Sequence, residues 1–341
     1  TIATYKSELE QKGLLNFFNN DLKVPILARM VGFLTADGNI SIKNGYPALT
    51  GYFGCTEDAD EFRKDASRVR FEMKPSHYSE YNMEEAESRR EITHHIHRVE
   101  YTGALAALML CLGVVPGRKT TQPSFLPKWL DTASMLAKRE FLAGLIGGDG
   151  GAIRVAQGNS YRITHFTQSK HPEYLENGYT FMKDIVELME DFDIEPANIL
   201  EQKYAQGITL HLDFAQNCDN ILRYMYNIGF RYCQDKLTSS LRVAEYLQYR
   251  QLVINERSAQ KMRIKDLYEG GMKSKAISTT LDLPYNLVTS IVRRKQWNNE
   301  TPMPRDALTY DQWCKCTYAI NGCIYIPVKS VTPAPDCSVC D

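Results

Sequence analysis

The chain has 341 residues, of which 43% are hydrophobic and 24% are charged, and its formal net charge is −1. This composition is typical of a globular protein of two or three domains, and the charge excludes a chain that is basic throughout while allowing local basic surfaces. No run of eighteen apolar residues occurs and Thr1–Glu10 lacks a basic-then-apolar signal, so we expect an intracellular protein with no membrane partner, nuclear if the organism is eukaryotic.

Two short runs share one pattern, in which an apolar helix rich in small residues ends in Asp-Gly. They are Met30–Gly38 and Leu142–Gly150, and their aspartates, Asp37 and Asp149, are 112 residues apart. Glycines allow two helix backbones to approach closely, while the helix dipole disfavours a carboxylate at a C-terminal end unless a cation accompanies it. The alternative for each run is a buried helix with a glycine C-cap. The repetition favours a two-metal site.

The segments after the two Asp-Gly pairs predict the same elements. Each aspartate is followed by a β-hairpin, a helix, a second strand pair and a closing helix. The first set is a hairpin over Asn39–Thr56 with a turn at Tyr46-Pro47, a helix over Glu57–Met73, a strand pair that includes Ile92–Thr102, and a helix over Ala104–Leu112. The second set is a hairpin over Ala152–Thr167, a helix over Pro172–Phe192, strands within Ile199–Phe214 and a helix over Ala215–Ile228. The predicted class is α+β, with two α-β-β-α-β-β-α repeats.

From Val24 to about Leu247, these units resemble the LAGLIDADG homing endonucleases in their single-chain, two-repeat form. The resemblance implies a saddle of antiparallel sheet on double-stranded DNA, a pseudo-two-fold axis between the motif helices, and a monomeric enzyme. It also implies that Asp37 and Asp149, with Gly38 and Gly150 beside them, hold two or three Mg²⁺ ions that cleave both strands of a long asymmetric site, and that Ca²⁺ supports binding without cleavage. The chain departs from the family motif at helix-packing positions, which are Phe33, Thr35, Gly147 and Gly148.

The same resemblance implies one catalytic lysine for each repeat. Lys119 and Lys236 follow the closing helices, 82 and 87 residues after the motif aspartates. Each could instead be an ordinary solvated loop residue. Gln168 is a further candidate, for positioning water or substrate, although the equivalent region of the first repeat holds Cys55-Thr56.

Long polar side chains on the predicted strands are candidates for reading base edges. An alternative for the His94, His95 and His97 group is a zinc site, which strand alternation disfavours because it separates His94 from the other two. The candidates are Lys43, Tyr46, Tyr52, His95, His97, Arg98, Arg154, Gln157, Arg162 and Thr164.

The segment after the second repeat is locally basic, with nine basic and four acidic residues between Glu256 and Lys295. It predicts a short helix over Met262–Glu269, a second helix capped by Ser274 that ends at Leu281, and a third over Tyr285–Arg294. This resembles a helix-turn-helix, although a purely structural helical hairpin is the alternative. The candidates for DNA contact are Lys275, Tyr285, Asn286, Thr289 and Arg293.

The last segment, from Cys323 through Asp341, resembles the part of an intein that re-enters the splicing domain. Because no Cys or Ser begins the chain and no His-Asn pair ends it, we expect either a trimmed intein or a free-standing endonuclease. Five of the nine cysteines lie in the last 28 residues, so zinc binding is an alternative there. The predicted segments are 1–23, repeats at 24–135 and 136–250, a helix-turn-helix-like domain at 255–300, and 301–341.

Three functions compete at this stage. The leading prediction is a site-specific, metal-dependent DNA endonuclease that requires both Asp37 and Asp149. A DNA-binding regulator on the same scaffold is the second, and the presence of both acids argues against it. An RNA maturase is the third, and the helix-turn-helix-like segment disfavours it because A-form RNA does not admit a helix into its major groove.

Overall fold

The computed structural model describes residues 3–16, 21–84, 91–156, 160–204, 207–295, 297, 301–320 and 323–326. The chain divides into two compact units, of which the first comprises residues 1–243 with 319–323 and the second comprises 244–318 with 324–341. The first predicted repeat, 24–135, and residues 136–243 of the second lie in the first unit, and the last seven residues of the second predicted repeat lie in the second unit. Among the described residues, no helix combines the length and the apolar character that crossing a membrane requires.

The first repeat has the predicted order of elements. A short helix, α1 (Lys6–Gln11), precedes it. The repeat consists of α2 (Lys23–Ala36), β1 (Gly38–Lys43), β2 (Tyr46–Phe53), α3 (Thr56–Arg68), β3 (Ser76–Glu84), β4 (Glu91–Thr102) and α4 (Ala104–Cys111). Its four strands form one antiparallel sheet in the order β1-β2-β4-β3. The chain is therefore α+β, as predicted.

The turn of the first hairpin differs from the prediction. It is formed by Asn44 and Gly45, both with positive φ (51° and 80°), while Tyr46 and Pro47 begin β2. Lys43 pairs with Tyr46 across this two-residue loop. Asn-Gly is favoured at such turns because both central residues must adopt positive φ, and this local signal outweighs the Tyr-Pro pair.

The second repeat follows the same order with one interruption. It consists of α5 (Met135–Asp149), β5 (Ile153–Ala156), β6 (Ser160–Ile163), β7 (Phe166–Lys170), α6 (Leu175–Glu190), β8 (Pro196–Tyr204), β9 (Gly207–Phe214) and α7 (Cys218–Arg223), with a π-helical turn over Tyr224–Ile228. The strand that matches β2 is broken into β6, which pairs with β5, and β7, which pairs with β9. The Gln216 side chain occupies the break by bonding both the N–H and the carbonyl of Ile163 (2.7 and 3.0 Å).

The motif helices α2 and α5 pack backbone against backbone at two glycines. A Cβ added to Gly32 would lie 2.0 Å from the carbonyl oxygen of Phe141, and one added to Gly144 would lie 2.1 Å from that of Arg29. Gly32 and Gly144 lie five residues before the motif aspartate of their own helix, and the residues whose carbonyls are contacted, Arg29 and Phe141, lie eight residues before it. The two contacts are therefore related by a pseudo-two-fold operation. The crossing excludes any side chain at these positions.

A buried ionic network also joins the two repeats. The Arg29 guanidinium donates to both oxygens of Asp65 (2.5 Å each) and to Glu140 of the second repeat (3.0 Å). Arg231 donates to both oxygens of Glu140 (2.8 Å each), and the Tyr232 hydroxyl donates to Asp65 (2.7 Å). Removing one member would leave a buried charge without its partner, which is strongly destabilising. Each member of the network therefore contributes to the contact between the repeats.

The second unit is largely helical. The predicted helix over Met262–Glu269 is the last part of the 36-residue helix α8 (Gln234–Glu269), which ends at Gly270-Gly271. α9 (Ser274–Thr280) has Lys273 rather than Ser274 at its N-cap, and α10 is Tyr285–Arg294 as predicted. A small hydrophobic core forms around Ile264, Ile277, Val288 and Val292. The remaining elements are α11 (Tyr310–Cys316) and the strands β10 (Tyr318–Ile320) and β11 (Cys323–Tyr325).

Replacing Gly144 with alanine should destabilise the protein by about 2 kcal/mol or more and lower the midpoint of thermal unfolding by about 5 °C or more, because the added methyl group forces α2 and α5 apart. Thermal unfolding followed by circular dichroism measures this. Gly54→Ala is the matched control, since a Cβ there meets nothing within 4 Å and should leave the midpoint unchanged. Equal midpoints for the two variants would contradict the close crossing.

Candidate active site

The two motif aspartates meet where α2 and α5 end. Asp37 is the C-cap of α2, Asp149 is the last residue of α5, and a Cβ added to Gly148 would lie 3.2 Å from the Oδ2 of Asp37. Asp37 is an exposed residue and Asp149 a partly exposed one, although surrounding protein atoms crowd both carboxylates. The glycine crossing thus brings together two acids that are 112 residues apart in sequence.

Lys119 and Lys236 lie at the same helix ends. The Lys119 ammonium donates to the carbonyl of Ala36, which immediately precedes Asp37. The Lys236 ammonium donates to the carbonyl of Gly148, which immediately precedes Asp149, and to that of Gly147 (2.6 and 2.7 Å). The two contacts are equivalent, and each places a cation at a helix C-terminus, where the macrodipole favours positive charge.

Burial raises the pKa values of the two motif aspartates. Burial raises the pKa of Asp149 to about 7, and the charge of Asp37 adds to the rise while Lys119 and Lys236 oppose it. Burial also raises the pKa of Asp37, against the same two lysines. Burial lowers the pKa of Lys119 to about 8, although both aspartates act in the other direction. Clustered shifts of this kind are typical of functional sites.

The donor atoms fit a hard divalent cation. Two carboxylates that repel one another with raised pKa values would be relieved by a cation between or beside them, and carboxylate oxygen is the ligand that Mg²⁺, Mn²⁺ and Ca²⁺ prefer. Within the described part of the chain, no group of three or more His, Cys, Asp or Glu side chains could hold a metal. A cation at Asp37 and Asp149 must therefore complete its coordination with water, backbone carbonyls or a ligand.

The glycines after the aspartates begin the next elements. Gly38 is the first residue of β1 and pairs with Gly51, and Gly150 forms an isolated bridge with Phe166. Metal coordination by Gly38 and Gly150 remains a prediction.

Gln168 points toward a loop of the other repeat. Its amide Nε2 donates to the Ser124 hydroxyl (3.1 Å), and β7 pairs it with the buried Leu210. Its side chain therefore lies on the face of β7 that packs against protein, and a role in positioning water remains a prediction.

Two residues that the sequence reasoning missed reach the lysine loops. Lys170 shares a face of β7 with Phe166 and Gln168, and its ammonium donates to the carbonyl of Lys119 (3.0 Å). A carboxylate oxygen of Asp58 accepts from the N–H of Gln234 (2.7 Å), which begins α8 two residues before Lys236. Strand parity was the available signal for Lys170, because it shares the parity of the apolar Phe166.

The exposed face of the first sheet carries part of the predicted DNA-contacting set. Lys43 pairs with Tyr46, and Tyr52 pairs with Arg98, so these four share one face, which we call the outer face. The register adds polar residues that were not predicted, namely Asn39, Ser41, Thr50, His77, Glu100 and Thr102, and Glu100 forms an ion pair with Arg98 (3.3 Å).

His95 and His97 lie on the opposite face of the sheet, and DNA contact by them remains a prediction. His97 pairs with the buried Phe53 and alternates with Arg98, and the His95 ring is hydrogen-bonded to the Tyr78 hydroxyl (2.8 Å). These two histidines therefore do not share a surface with Tyr52 and Arg98. The zinc alternative also fails for the part of this group that the structure describes.

In the second repeat, Arg154 and Arg162 pair directly and are both exposed. The Thr164 hydroxyl donates to the Ala152 carbonyl (2.9 Å), and DNA contact by Thr164 remains a prediction. Gln157 lies outside the described residues. The outer face of β7, β8 and β9 adds residues that were not predicted, namely Thr167, Ser169, Gln202, Thr209 and His211.

In the second unit, the residues predicted to contact DNA lie mostly on the exposed side of the helices. Asn286 and Arg293 are exposed on α10, away from the buried Val288 and Val292, while Tyr285 is exposed as the first residue of α10 and Lys275 is exposed on α9. Thr289 is partly buried, and its hydroxyl donates to the Tyr285 carbonyl (3.0 Å). Of the terminal cysteines, Cys314, Cys316 and Cys323 are free thiols, and Cys337 and Cys340 lie outside the described residues.

Comparison with known proteins finds partial relatives with three different names. No family model matches the chain. A tRNA-splicing ligase RtcB from Pyrococcus abyssi is 30% identical over 251 residues, which is 73% of this chain and 27% of the ligase. From Methanocaldococcus jannaschii, the RNA polymerase subunit Rpo1N is 26% identical (84% of this chain, 23% of the subunit), and the replication factor C small subunit is 24% identical (91% and 16%). The chain thus spans about a quarter or less of these relatives.

Among solved structures, the homing endonuclease I-WcaI bound to its DNA recognition sequence is 11% identical, with a TM-score of 0.36, and covers 64% of this chain and 91% of its own. I-DmoI in complex with DNA and Ca is 10% identical, with a TM-score of 0.36, and covers 60% of this chain and 90% of its own. Full-length DUF199/WhiA from Thermatoga maritima is 14% identical, with a TM-score of 0.33, and covers 84% and 94%.

Asp149→Asn should stabilise the metal-free protein at pH 8 and leave its stability at pH 4 unchanged. The folded-state pKa of about 7 lies above the usual value near 3.8, so the folded protein holds a proton between these values that the unfolded chain has lost. The wild type therefore loses stability as the pH rises through this window, by about 1–3 kcal/mol, and asparagine does not. Unfolding in a chelator from pH 4 to 8 measures the difference.

The control for this experiment is Asp193→Asn, which makes the same chemical change at an exposed turn of positive φ (57°) that asparagine tolerates. Its difference from the wild type should not vary with pH. A stability difference for Asp149→Asn that stays constant from pH 4 to 8 would show that the pKa of Asp149 is not raised.

Proposed function

We propose that this chain is a site-specific endonuclease that hydrolyses both strands of double-stranded DNA with divalent metal bound at Asp37 and Asp149. The observation that carries the proposal is the paired arrangement at the ends of α2 and α5, in which each motif carboxylate has a lysine on the carbonyl that precedes it. Cleavage of two strands requires two equivalent centres, and the repeats supply one each. This matches the family that the sequence resembles.

The chain's own groups have distinct parts in this reaction. Asp37 and Asp149 would hold the cations through carboxylate oxygens, with the backbone beside Gly38 and Gly150 as further donors. Bound Mg²⁺ would supply a more acidic water and charge compensation for the leaving oxygen. The ammonium groups of Lys119 and Lys236 would offset the negative charge that the phosphate gains in the transition state. Gln168 would act on water or substrate only after releasing Ser124.

The outer faces of the first sheet and of β7, β8 and β9, together with the β5-β6 hairpin, supply the proposed DNA surface. Lys43, Tyr46, Tyr52 and Arg98 in the first repeat have the size and hydrogen-bonding capacity to reach base edges and phosphates, and the adjacent pair Arg154 and Arg162 does so in the second. His95, His97 and Thr164 are not included in this set. Serine and threonine hydroxyls on β7 and β9 complete it.

We further propose that the chain derives from an intein. Segments similar to most of this chain form part of a ligase, a polymerase subunit and a replication factor subunit, which are proteins of different named functions. A shared segment that makes up 27% or less of each relative is best explained by a sequence whose activity is separate from that of its host. This reasoning also disfavours the RNA ligase name as a description of this chain.

The exposed basic residues of α9 and α10 support a second DNA contact. In this unit, a groove of about 450 Å³ is lined by four cations, which are Arg257, Lys261, Arg294 and Arg305. The helices α9 and α10 carry the exposed residues Lys275, Tyr285, Asn286 and Arg293, and Thr289 also lies on α10. We propose that this unit binds the DNA flanking the cleavage site.

Asp37→Asn and Asp149→Asn should each abolish double-strand cleavage while leaving DNA affinity within about tenfold, because each variant removes a ligand charge but no DNA-facing side chain. Selection from a randomised plasmid library with Mg²⁺ supplies the substrate, and Ca²⁺ should permit binding without cleavage. Asp193→Asn is the control and should cut like the wild type. Linearisation by either variant at the wild-type rate would overturn the proposed roles.

The intein origin makes a separate prediction. The DNA site selected from the library should match the coding sequence that flanks the aligned segment in a relative's gene.

The double variant Lys275→Gln/Arg293→Gln should weaken DNA binding and reduce the slope of log K against log salt by about 2, since each lost phosphate contact removes about 0.9. Fluorescence anisotropy between 50 and 200 mM salt measures the slope. Lys64→Gln/Lys183→Gln makes the same charge change on exposed positions of α3 and α6 and should leave the slope unchanged. Equal slopes for both double variants would assign this unit a structural role.

A further inference from the structure

Lys170 is a buried cation of the second repeat that bonds a loop of the first repeat. Its side chain is 1% exposed, and its ammonium donates to the carbonyls of Lys119 (3.0 Å) and Gln122 (2.9 Å) and to the Ser124 hydroxyl (2.7 Å). All three acceptors belong to the loop that carries Lys119. Among the described residues, no carboxylate forms an ion pair with Lys170, so oxygen atoms of this loop stabilise the buried charge.

The backbone of β7 continues the same contact. The N–H of His171, the residue after β7, donates to the carbonyl of Thr120 (2.7 Å), and the side-chain Nε2 of Gln168 donates to the Ser124 hydroxyl (3.1 Å). The Lys119 loop is therefore held by the second repeat, while the Lys119 ammonium bonds the end of α2 in the first.

Asp58 has the reciprocal role in the first repeat. It is 4% exposed, and its carboxylate accepts from the N–H of Gln234 (2.7 Å), at the start of α8. Helix N-termini leave N–H groups without partners, and a carboxylate there is favoured by the helix dipole. Lys236 lies in this first turn, and its ammonium bonds the end of α5.

Asp58 and Lys170 lie in different elements, since Asp58 is in the first turn of α3 and Lys170 is the last residue of β7, yet each contacts the segment that carries the lysine of the other repeat. Their opposite charges match what they contact, because the Lys119 loop offers carbonyl oxygens and the start of α8 offers an N–H group. We propose that each repeat positions the active-site lysine of the other, with Lys170 as the positioning residue for Lys119 and Asp58 as the positioning residue for Lys236. The inference rests on the proposed function for its catalytic consequence.

The test measures nicking of each strand separately. In single-turnover reactions on a duplex labelled differently on its two strands, Lys170→Met should slow by about tenfold the same strand that Lys119→Met slows, and change the other by less than about twofold. Asp58→Ala and Lys236→Met should slow the opposite strand. Asp58→Asn, which retains the acceptor oxygen, should restore most of the rate lost in Asp58→Ala.

A general structural defect would slow both strands equally, and that result would overturn the proposal, as would slowing of the strand assigned to the other lysine or no slowing at all. Binding in Ca²⁺ and thermal unfolding confirm that each variant is folded, and Lys170→Gln replaces Lys170→Met if the methionine variant does not fold.

A readout in the free protein separates this proposal from the nuclease proposal. Hydrogen exchange of the amides from Lys119 to Ser124 should accelerate by about tenfold or more in Lys170→Met and stay unchanged in Asp58→Ala. If the wild type cuts no DNA, the proposed function fails while this measurement still tests the positioning. Unchanged exchange in Lys170→Met would overturn the positioning role even in an active nuclease.

Discussion

The backbone contact between α2 and α5 is the constraint on which the site depends. Gly32 and Gly144 each lie against a carbonyl of the facing helix, at a distance that no side chain permits. Because both helices end five residues later in Asp37 and Asp149, this one crossing fixes how near the carboxylates lie. The ionic network of Arg29, Asp65 and Glu140 holds the other part of the same interface.

The crossing also creates an electrostatic problem that the lysines partly relieve. It brings two carboxylates together at two helix C-termini, where each dipole opposes negative charge. Lys119 and Lys236 bond the last carbonyls and reduce the pKa rise of both acids, yet the pKa of Asp149 still reaches about 7. Burial is the largest cause of this rise, and a divalent cation bound by the two carboxylates would stabilise their charged forms, which the proposed chemistry uses.

Much of this arrangement could be predicted because it depends on local patterns. Apolar periodicity and the repeated Asp-Gly identified the motif helices, and the hydrophobic spacing of α10 and its core agreed with the structure. The predictions were incomplete or wrong where tertiary contacts or turn chemistry determine the local structure. The Asn44-Gly45 turn was overlooked, strand register alone assigns His97 to the face of Phe53, and the contacts of Lys170 and Asp58 join segments about 50 and 176 residues apart. No single-sequence pattern encodes such pairings.

The crossed supports of the two lysines have a consequence for separating the halves of the molecule. Lys170 of the second repeat bonds the loop that carries Lys119, and Asp58 of the first repeat bonds the start of α8, which carries Lys236. A first half produced alone would hold Lys119 without Lys170, and a second half would hold Lys236 without Asp58. Each fragment would therefore lack a contact to its own lysine segment, and mixing the two fragments would supply both contacts.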